Sequence, residues 1–229
     1  MPQDVRQLAD FYHAPLGHLA RHTILRRIRT FWPDLTGRRV LGYGFAVPYL
    51  PVFSEAERCI AAMPSHLGVI TWPKDEKRDG NAAVLCQEDC LPFPDVMFDR
   101  ILIVHGLEAA ESLRLLLRQL WRVLAPEGRI LLVAPNRASL WAQVQRSPFG
   151  HGRPFSKMEL EGLLTEGQFE STRWSRALYA PPFETVTRTG TGWEKMGTRL
   201  FPGIGGVHVV EAAKSLYAAA TPGLPQGAA

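Results

Sequence analysis

Residues 98–135 read FDRILIVHGLEAAESLRLLLRQLWRVLAPEGRILLVAP. The stretch 98–106 is apolar without alternation, as expected of a strand covered on both faces of a sheet. Leu113, Leu116, Leu117, Leu120, Trp121 and Leu124 then recur along one side of a helix predicted over 108–124. The turn APEG leads into a second apolar strand over 129–135. Strand, helix and strand in that order make a parallel pair joined by a right-handed crossover.

The same alternation extends outward. Upstream, RRVLGYG (38–44), RCIAAM (58–63) and AAVLCQ (82–87) read as three strands. Before them, Leu8, Phe11 and Tyr12, then Leu16, Leu19, Ile24, Leu25 and Ile28, fit two helices over 3–13 and 15–31, with Pro33 stopping the second. Downstream, helical segments are expected near 138–145 and 156–166. FESTRWSRALYA (169–180) and GGVHVVEAAKSLYA (205–218) close the chain as a last pair of strands, with an insertion at 181–204 between them. The organisation expected is an N-terminal helical lid over 1–32, an α/β domain over 33–220 and a frayed Pro/Gly-rich tail over 221–229.

Composition sets bounds on function. A chain of 229 residues, 46% hydrophobic and 21% charged, can bury a sizeable core. Its net charge of +4 is too small to argue for nucleic acid, and there is no aromatic-rich RNA-binding signature. Cys59, Cys86 and Cys90 form no disulfide framework and have no partners at zinc-like spacing, so reduced thiols and no metal are expected. No run approaches the roughly 18 apolar residues of a membrane-spanning helix, and the N-terminus does not read as a signal peptide. A cytoplasmic protein is the expectation.

An open parallel sheet takes its ligand beyond the carboxyl ends of its strands, where the strand order reverses. The loop GYGFAVP (42–48) leaves the first strand at that point. It is read either as a cofactor-facing loop or as a tight turn for strand–helix packing. The residues allow both. Gly42 and Gly44 let backbone N–H groups approach a ligand, Ala46 adds only a methyl, and Pro48 and Pro51 require any following helix to be short or late.

The run 91–136 closely resembles the central block of class I S-adenosylmethionine-dependent methyltransferases, particularly the small type 11 group. The matching features are the turn Leu91–Phe93, the pair Phe98–Asp99, the helix end Arg122–Gly128 and the strand end Pro135–Asn136. The resemblance implies a Rossmann-like α/β fold, mostly parallel, with an antiparallel last strand and helices on both faces. It also implies S-adenosylmethionine as cofactor and methyl transfer as activity.

Carried over position by position, the cofactor motif is degenerate. The acid that ends the family's first strand falls at Gly42, and its three glycines fall at Gly44, Ala46 and Pro48. The acid that holds the ribose falls near Met63, which has no carboxylate. The adenine-binding carboxylate falls at Gln87, with Glu88 and Asp89 beside it. Tyr43, Phe45 and Trp72 are aromatic candidates for stacking on the cofactor or meeting its sulfonium. The candidate cofactor-binding set is therefore Gly42, Tyr43, Gly44, Phe45, Ala46, Met63, Gln87, Glu88, Asp89 and His105.

Displacement at a sulfonium methyl needs alignment and a dry pocket more than an acid or base, so no catalytic residue is required. His105 is open to two readings, a general base or a pocket-lining histidine. Glu108 and Glu111 are expected to complement a helix N-terminus. Asp99 is expected to be structural. Tyr12 and His13 are read as a lid over the pocket or as ordinary turn residues. Arg21, Arg26, Arg27 and Arg29 suit a solvated face or an acidic or membrane surface, and Arg114, Arg118 and Arg122 a solvated face.

A nicotinamide site is disfavoured. The third glycine is missing, no carboxylate follows the second strand, and no Tyr has a Lys four residues on. Two functions stand. One is methyl transfer from S-adenosylmethionine to a small-molecule or lipid-like acceptor. The other is a silent methyltransferase-like domain that binds a protein partner.

Overall fold

A computed structural model describes residues 4–73, 81–145, 147–183 and 190–215. Two helices open the chain: α1 (Val5–His13) and α2 (Pro15–Phe31). Asp4 caps α1 by accepting from the N–H groups of Arg6 and Gln7. Pro15 starts α2 at a position where a missing N–H does no harm. Gly17 is required where the helices meet, because a Cβ there would stand 1.8 Å from the Phe11 carbonyl oxygen.

The strands are β1 (Arg39–Gly44), β2 (Arg58–Pro64), β3 (Ala83–Cys86), β4 (Phe98–Val104), β5 (Leu124–Pro135), β6 (Phe169–Ala177) and β7 (Val207–Lys214). They form one sheet in the order β3-β2-β1-β4-β5-β7-β6. β3, β2, β1, β4 and β5 are parallel, and β7 runs antiparallel between β5 and β6. The order reverses at β1, which lies between β2 and β4. Both faces of the sheet are buried. One carries Val40, Leu102, Leu131 and Val209 against α1 and α2. The other carries Leu41, Ile101, Ile103 and Leu132 against α3 (Leu113–Val123) and α4 (Lys157–Glu166).

Several sequence expectations change. The helix expected from 108 begins at Leu113, and its first turn holds no acid. Glu88 of the β3 loop approaches that end instead, its Oε2 accepting from the N–H groups of Glu111 and Ser112. The helix expected near 138–145 is a series of turns ending in a short 3-10 segment, Pro148–Gly150. Side-chain bonds override the local pattern there. Ser139 Oγ donates to the Asn136 carbonyl, and Trp141 Nε1 donates to the Ala180 carbonyl across the fold. After the glycine loop the chain makes only a 3-10 turn, Leu50–Phe53, as Pro48 and Pro51 require.

The 181–204 insertion contains α5 (Gly190–Leu200); residues 184–189 and the tail 221–229 lie outside the described residues. Arg122 is not a solvated residue. Its guanidinium donates to the Leu91 and Phe93 carbonyls and to Asp95, pinning the turn before β4. Asp99 is structural: it accepts from the Arg39 backbone N–H and guanidinium, fixing β4 against β1. No described helix is long and apolar enough to cross a membrane, and the described residues hold no metal-ligand cluster.

Candidate active site

The candidate residues gather at the carboxyl ends of β1 to β4. β1 ends at Gly44 with φ +81°, a conformation that favours glycine. A Cβ there would stand 2.3 Å from the Val104 carbonyl oxygen. The chain then turns back, and the Phe45 N–H donates to that same carbonyl. Gly42, Phe45 and Ala46 are buried. Tyr43 projects to the opposite face of the sheet, among Leu91, Ile103 and Leu116, so it does not join Phe45 on one aromatic wall. Burial drives its phenol pKa far upward.

At the ends of β2 and β3 the candidates differ in kind. Met63 is wholly buried and offers no carboxylate. Gln87 is exposed and accepts from Ser65 Oγ at 3.0 Å. Asp89 is exposed in the following turn. Glu88 faces inward. One oxygen holds the start of α3, while Oε1 lies 3.4 Å from His66 Nδ1. Among the described residues, Glu88 Oε1 and His66 Nε2 are buried without a hydrogen-bond partner. His66 was not singled out by the sequence, because a lone histidine in a loop carries no pattern.

α1 roofs this crevice. Its first N–H donates to the Leu67 carbonyl, just past β2, and its last turn places Tyr12 beside His105, just past β4. Nine helical residues span about 13 Å, enough to cross β2, β1 and β4 at about 4.8 Å per strand. Leu8, Tyr12, Phe45, Ala46 and Met63 are all 5% exposed or less, so the roof packs closely onto the strand ends. Tyr12 stacks on Phe45 with ring centres 6.0 Å apart. His13 points outward and bonds to the Ala9 carbonyl of its own helix.

Beneath the roof runs a chain of buried hydrogen bonds. Tyr49 and Tyr12 hydroxyls are 2.9 Å apart, Tyr12 Oη is 2.8 Å from His105 Nε2, and His105 Nδ1 is 2.9 Å from Glu108 Oε1. An ionised carboxylate only accepts, so Nδ1 carries the proton and Nε2 accepts from Tyr12. Burial, then the neighbouring Tyr49, raises the Tyr12 pKa well above the usual phenol value. His105 sits at φ +51°, outside the ordinary range for a side-chain-bearing residue. That conformation costs about 1–2 kcal/mol. Glu108 thus orients His105 and does not cap α3, and its Oε2 has no partner among the described residues.

Sequence and shape comparisons agree with this geometry. Residues 41–132 match the family described as "Methyltransferase domain". No curated protein matches the chain. Among solved structures, one from Thermotoga maritima, an S-adenosylmethionine-dependent methyltransferase described as a possible histamine N-methyltransferase, is 18% identical. It covers 92% of this chain and 96% of its own, with a TM-score of 0.64. An S-adenosylmethionine-dependent methyltransferase from Archaeoglobus fulgidus is 20% identical, covering 85% and 94% with a TM-score of 0.56. One from Mesorhizobium loti is 12% identical, covering 82% and 95%, also with a TM-score of 0.56.

This fold implies S-adenosylmethionine as cofactor, and the residues can be tested against it. At the adenine end they fit: Glu88 Oε1 and His66 Nε2 are buried polar atoms left for a purine edge. At the ribose end Met63 and Pro64 supply no acid, so affinity there depends on backbone and shape. At the roof, Leu8 and Tyr12 are buried where a ligand over the strand ends would lie. The chain has the fold of class I S-adenosylmethionine-dependent methyltransferases, and its residues 41–132 match the methyltransferase domain family.

Proposed function

We propose that the protein transfers a methyl group from S-adenosylmethionine to a small-molecule or lipid-like acceptor. The observation that carries this reading is the pair Glu88 Oε1 and His66 Nε2, buried without a hydrogen-bond partner among the described residues, at the carboxyl ends of β3 and β2. Burying such atoms without partners is costly, and a bound purine would relieve that cost. Glu88 would accept from the adenine amine. The turn Gly42–Ala46 would face the methionine part, with Met63 beneath the ribose and His105 beside the reacting end. Gln87 and Asp89 would border the mouth. When bound, the cofactor supplies an electrophilic methyl group on positively charged sulfur. The protein's own contribution is alignment, a dry crevice under α1 and, at His105, a group able to hold a proton.

Calorimetry with S-adenosylmethionine and S-adenosylhomocysteine tests the reading. Binding tighter than about 100 μM, near −5.5 kcal/mol, is expected. Gly44→Arg should abolish it, because any side chain at this position meets the Val104 carbonyl. No heat at millimolar ligand with a folded sample would overturn the proposal.

A further inference from the structure

We infer that His105 is the general base for methyl transfer to an aromatic hydroxyl, and that the Tyr12 phenol occupies the acceptor's place while α1 is down. The inference rests on the methyl-transfer reading above and names the acceptor class for that site.

Three observations converge. First, His105, Glu108 and a phenol are arranged as a base, its orienting carboxylate and a proton donor, at 2.8 and 2.9 Å. His105 Nε2 already accepts from an aromatic hydroxyl. The site is therefore built to bind one, in hydrogen-bond chemistry and in shape. Phe149 lies against the imidazole, with ring centres 4.9 Å apart, and Phe45 stacks on the phenol.

Second, the dyad is held under strain. His105 keeps its left-handed backbone with the side chain buried. Gly106 is needed behind it, since a Cβ there would stand 2.8 Å from the Tyr43 ring. Gly152, at φ +72°, lets the 152–153 backbone approach Glu108 from outside, where the Arg153 N–H donates to the Glu108 carbonyl. Strained residues held by such supports cluster at functional sites.

Third, the other side of Tyr12 opens on a cavity of about 430 Å3. Tyr12, Phe45, Ile70 and Trp72 line it, together with His18 and Arg21. That volume suits a small organic ligand. Tyr12 stands between this aromatic cavity and the His105 imidazole. Withdrawing its ring joins the two, and a flat hydroxylated ring entering from the cavity meets Nε2 with its hydroxyl where Tyr12 Oη was. The Arg21 guanidinium would favour an acceptor that also carries an acidic substituent.

The step balances. The acceptor oxygen gives its proton to His105 Nε2 and uses a lone pair to form the new carbon–oxygen bond. The carbon–sulfur bond breaks, and its electron pair returns to sulfur as a neutral thioether. Glu108 is a positioning residue: it keeps the proton on Nδ1 and stabilises the imidazolium. The titratable groups in contact with His105 are Tyr12 from α1 and Glu108 from its own loop, with Tyr49 next along the chain.

The test uses the full chain with Tyr12→Ala and p-cresol, the small-molecule analogue of a tyrosine side chain. Calorimetry should show p-cresol binding at least tenfold more tightly than toluene, which has the same shape without the hydroxyl. That preference should vanish in Tyr12→Ala/His105→Phe. With S-adenosylmethionine present, Tyr12→Ala should form 4-methylanisole, detected by mass spectrometry, and His105→Phe should remove it. Equal binding of p-cresol and toluene, or a preference that survives His105→Phe, would overturn the inference. If Tyr12→Ala does not fold, Tyr12→Leu with phenol against benzene makes the same comparison. A p-cresol preference without any S-adenosylmethionine binding would count against the methyl-transfer reading and leave the hydroxyl site standing. Cofactor binding without the preference would count against the hydroxyl site alone.

Discussion

Tyr12→Phe should make S-adenosylmethionine bind more tightly. The substitution keeps the ring, and with it the stacking on Phe45 and the edge contacts to Phe11 and Tyr49. It removes one hydroxyl and two buried hydrogen bonds, at 2.9 and 2.8 Å. His105 Nε2 and the Tyr49 hydroxyl are left unpaired under the lowered roof, where an unsatisfied buried group costs about 1–3 kcal/mol. With α1 lifted, water reaches both groups and the cost disappears. The substitution therefore destabilises the closed arrangement relative to the open one. If the closed form excludes the cofactor, as the proposal requires, apparent affinity should rise by the same factor, about fivefold for 1 kcal/mol and more than a hundredfold for 3. Tyr49 can turn its hydroxyl elsewhere, which places the expected gain near the lower end. Calorimetry with S-adenosylhomocysteine reads the affinity, and amide hydrogen exchange along residues 5–13 reads the roof. Faster exchange with tighter binding is the expected pair. A tenfold loss of affinity would refute the reasoning, because it would mean that the Tyr12 hydroxyl contacts the cofactor and does not hold the crevice shut.

Two other predictions separate structural from binding roles. Glu88→Ala should lose about 0.5–2 kcal/mol of stability, since the start of α3 loses its acceptor, and should also weaken S-adenosylhomocysteine binding. Glu88→Gln should restore the stability, measured by urea unfolding, but not the affinity, because its amide would meet the adenine amine donor to donor; equal recovery of both would refute the adenine assignment. His208, buried on β7, has its pKa pushed down to about 4 by burial and then by Arg176. It stays neutral in the fold while the unfolded chain takes up a proton below about pH 6.5. Its contribution is therefore intact above about pH 6.5 and is lost as pH falls toward 4, by roughly 3.4 kcal/mol at most. His208→Phe should flatten the fall in stability over that window, and identical pH profiles for the two proteins would refute the assignment.

Sequence alone made much of this fold legible, for identifiable reasons. β4, α3 and β5 each carry a periodicity set by burial, and the glycine loop falls at the switch of strand order. What could not be read depended on contacts between distant residues. The start of α3 at Leu113 depends on Glu88, which reaches in from the β3 loop 23 residues earlier. The stretch 138–145 has a helical pattern, but Asn136, Ser139 and Trp141 spend their polar groups on the 203–206 and 180 backbone. The site divided in the same way. His105 is legible from its place past β4, but Glu108 reads as a helix-end acid, Tyr12 lies 93 residues upstream of His105, and His66 has no motif at all.

The character of the Tyr12 contact then bears on function. A roof meant only to seal a crevice is best made of apolar side chains, and α1 does this elsewhere with Val5 and Leu8. A buried polar chain is a poor way to gain the same stability: every member must be desolvated, and each bond returns only about 0.5–1.5 kcal/mol net. Here the chain also carries a left-handed backbone at His105 and a carboxylate oxygen on Glu108 with no partner among the described residues. An apolar side chain in place of Tyr12 would close the roof without desolvating a hydroxyl. The polar groups are therefore best explained by what happens when the roof is up, when Tyr12 leaves and His105 Nε2, with its proton held on the far nitrogen by Glu108, faces the crevice as a free acceptor. On the hydroxyl-acceptor proposal, the acceptor's place is held by the chain's own tyrosine.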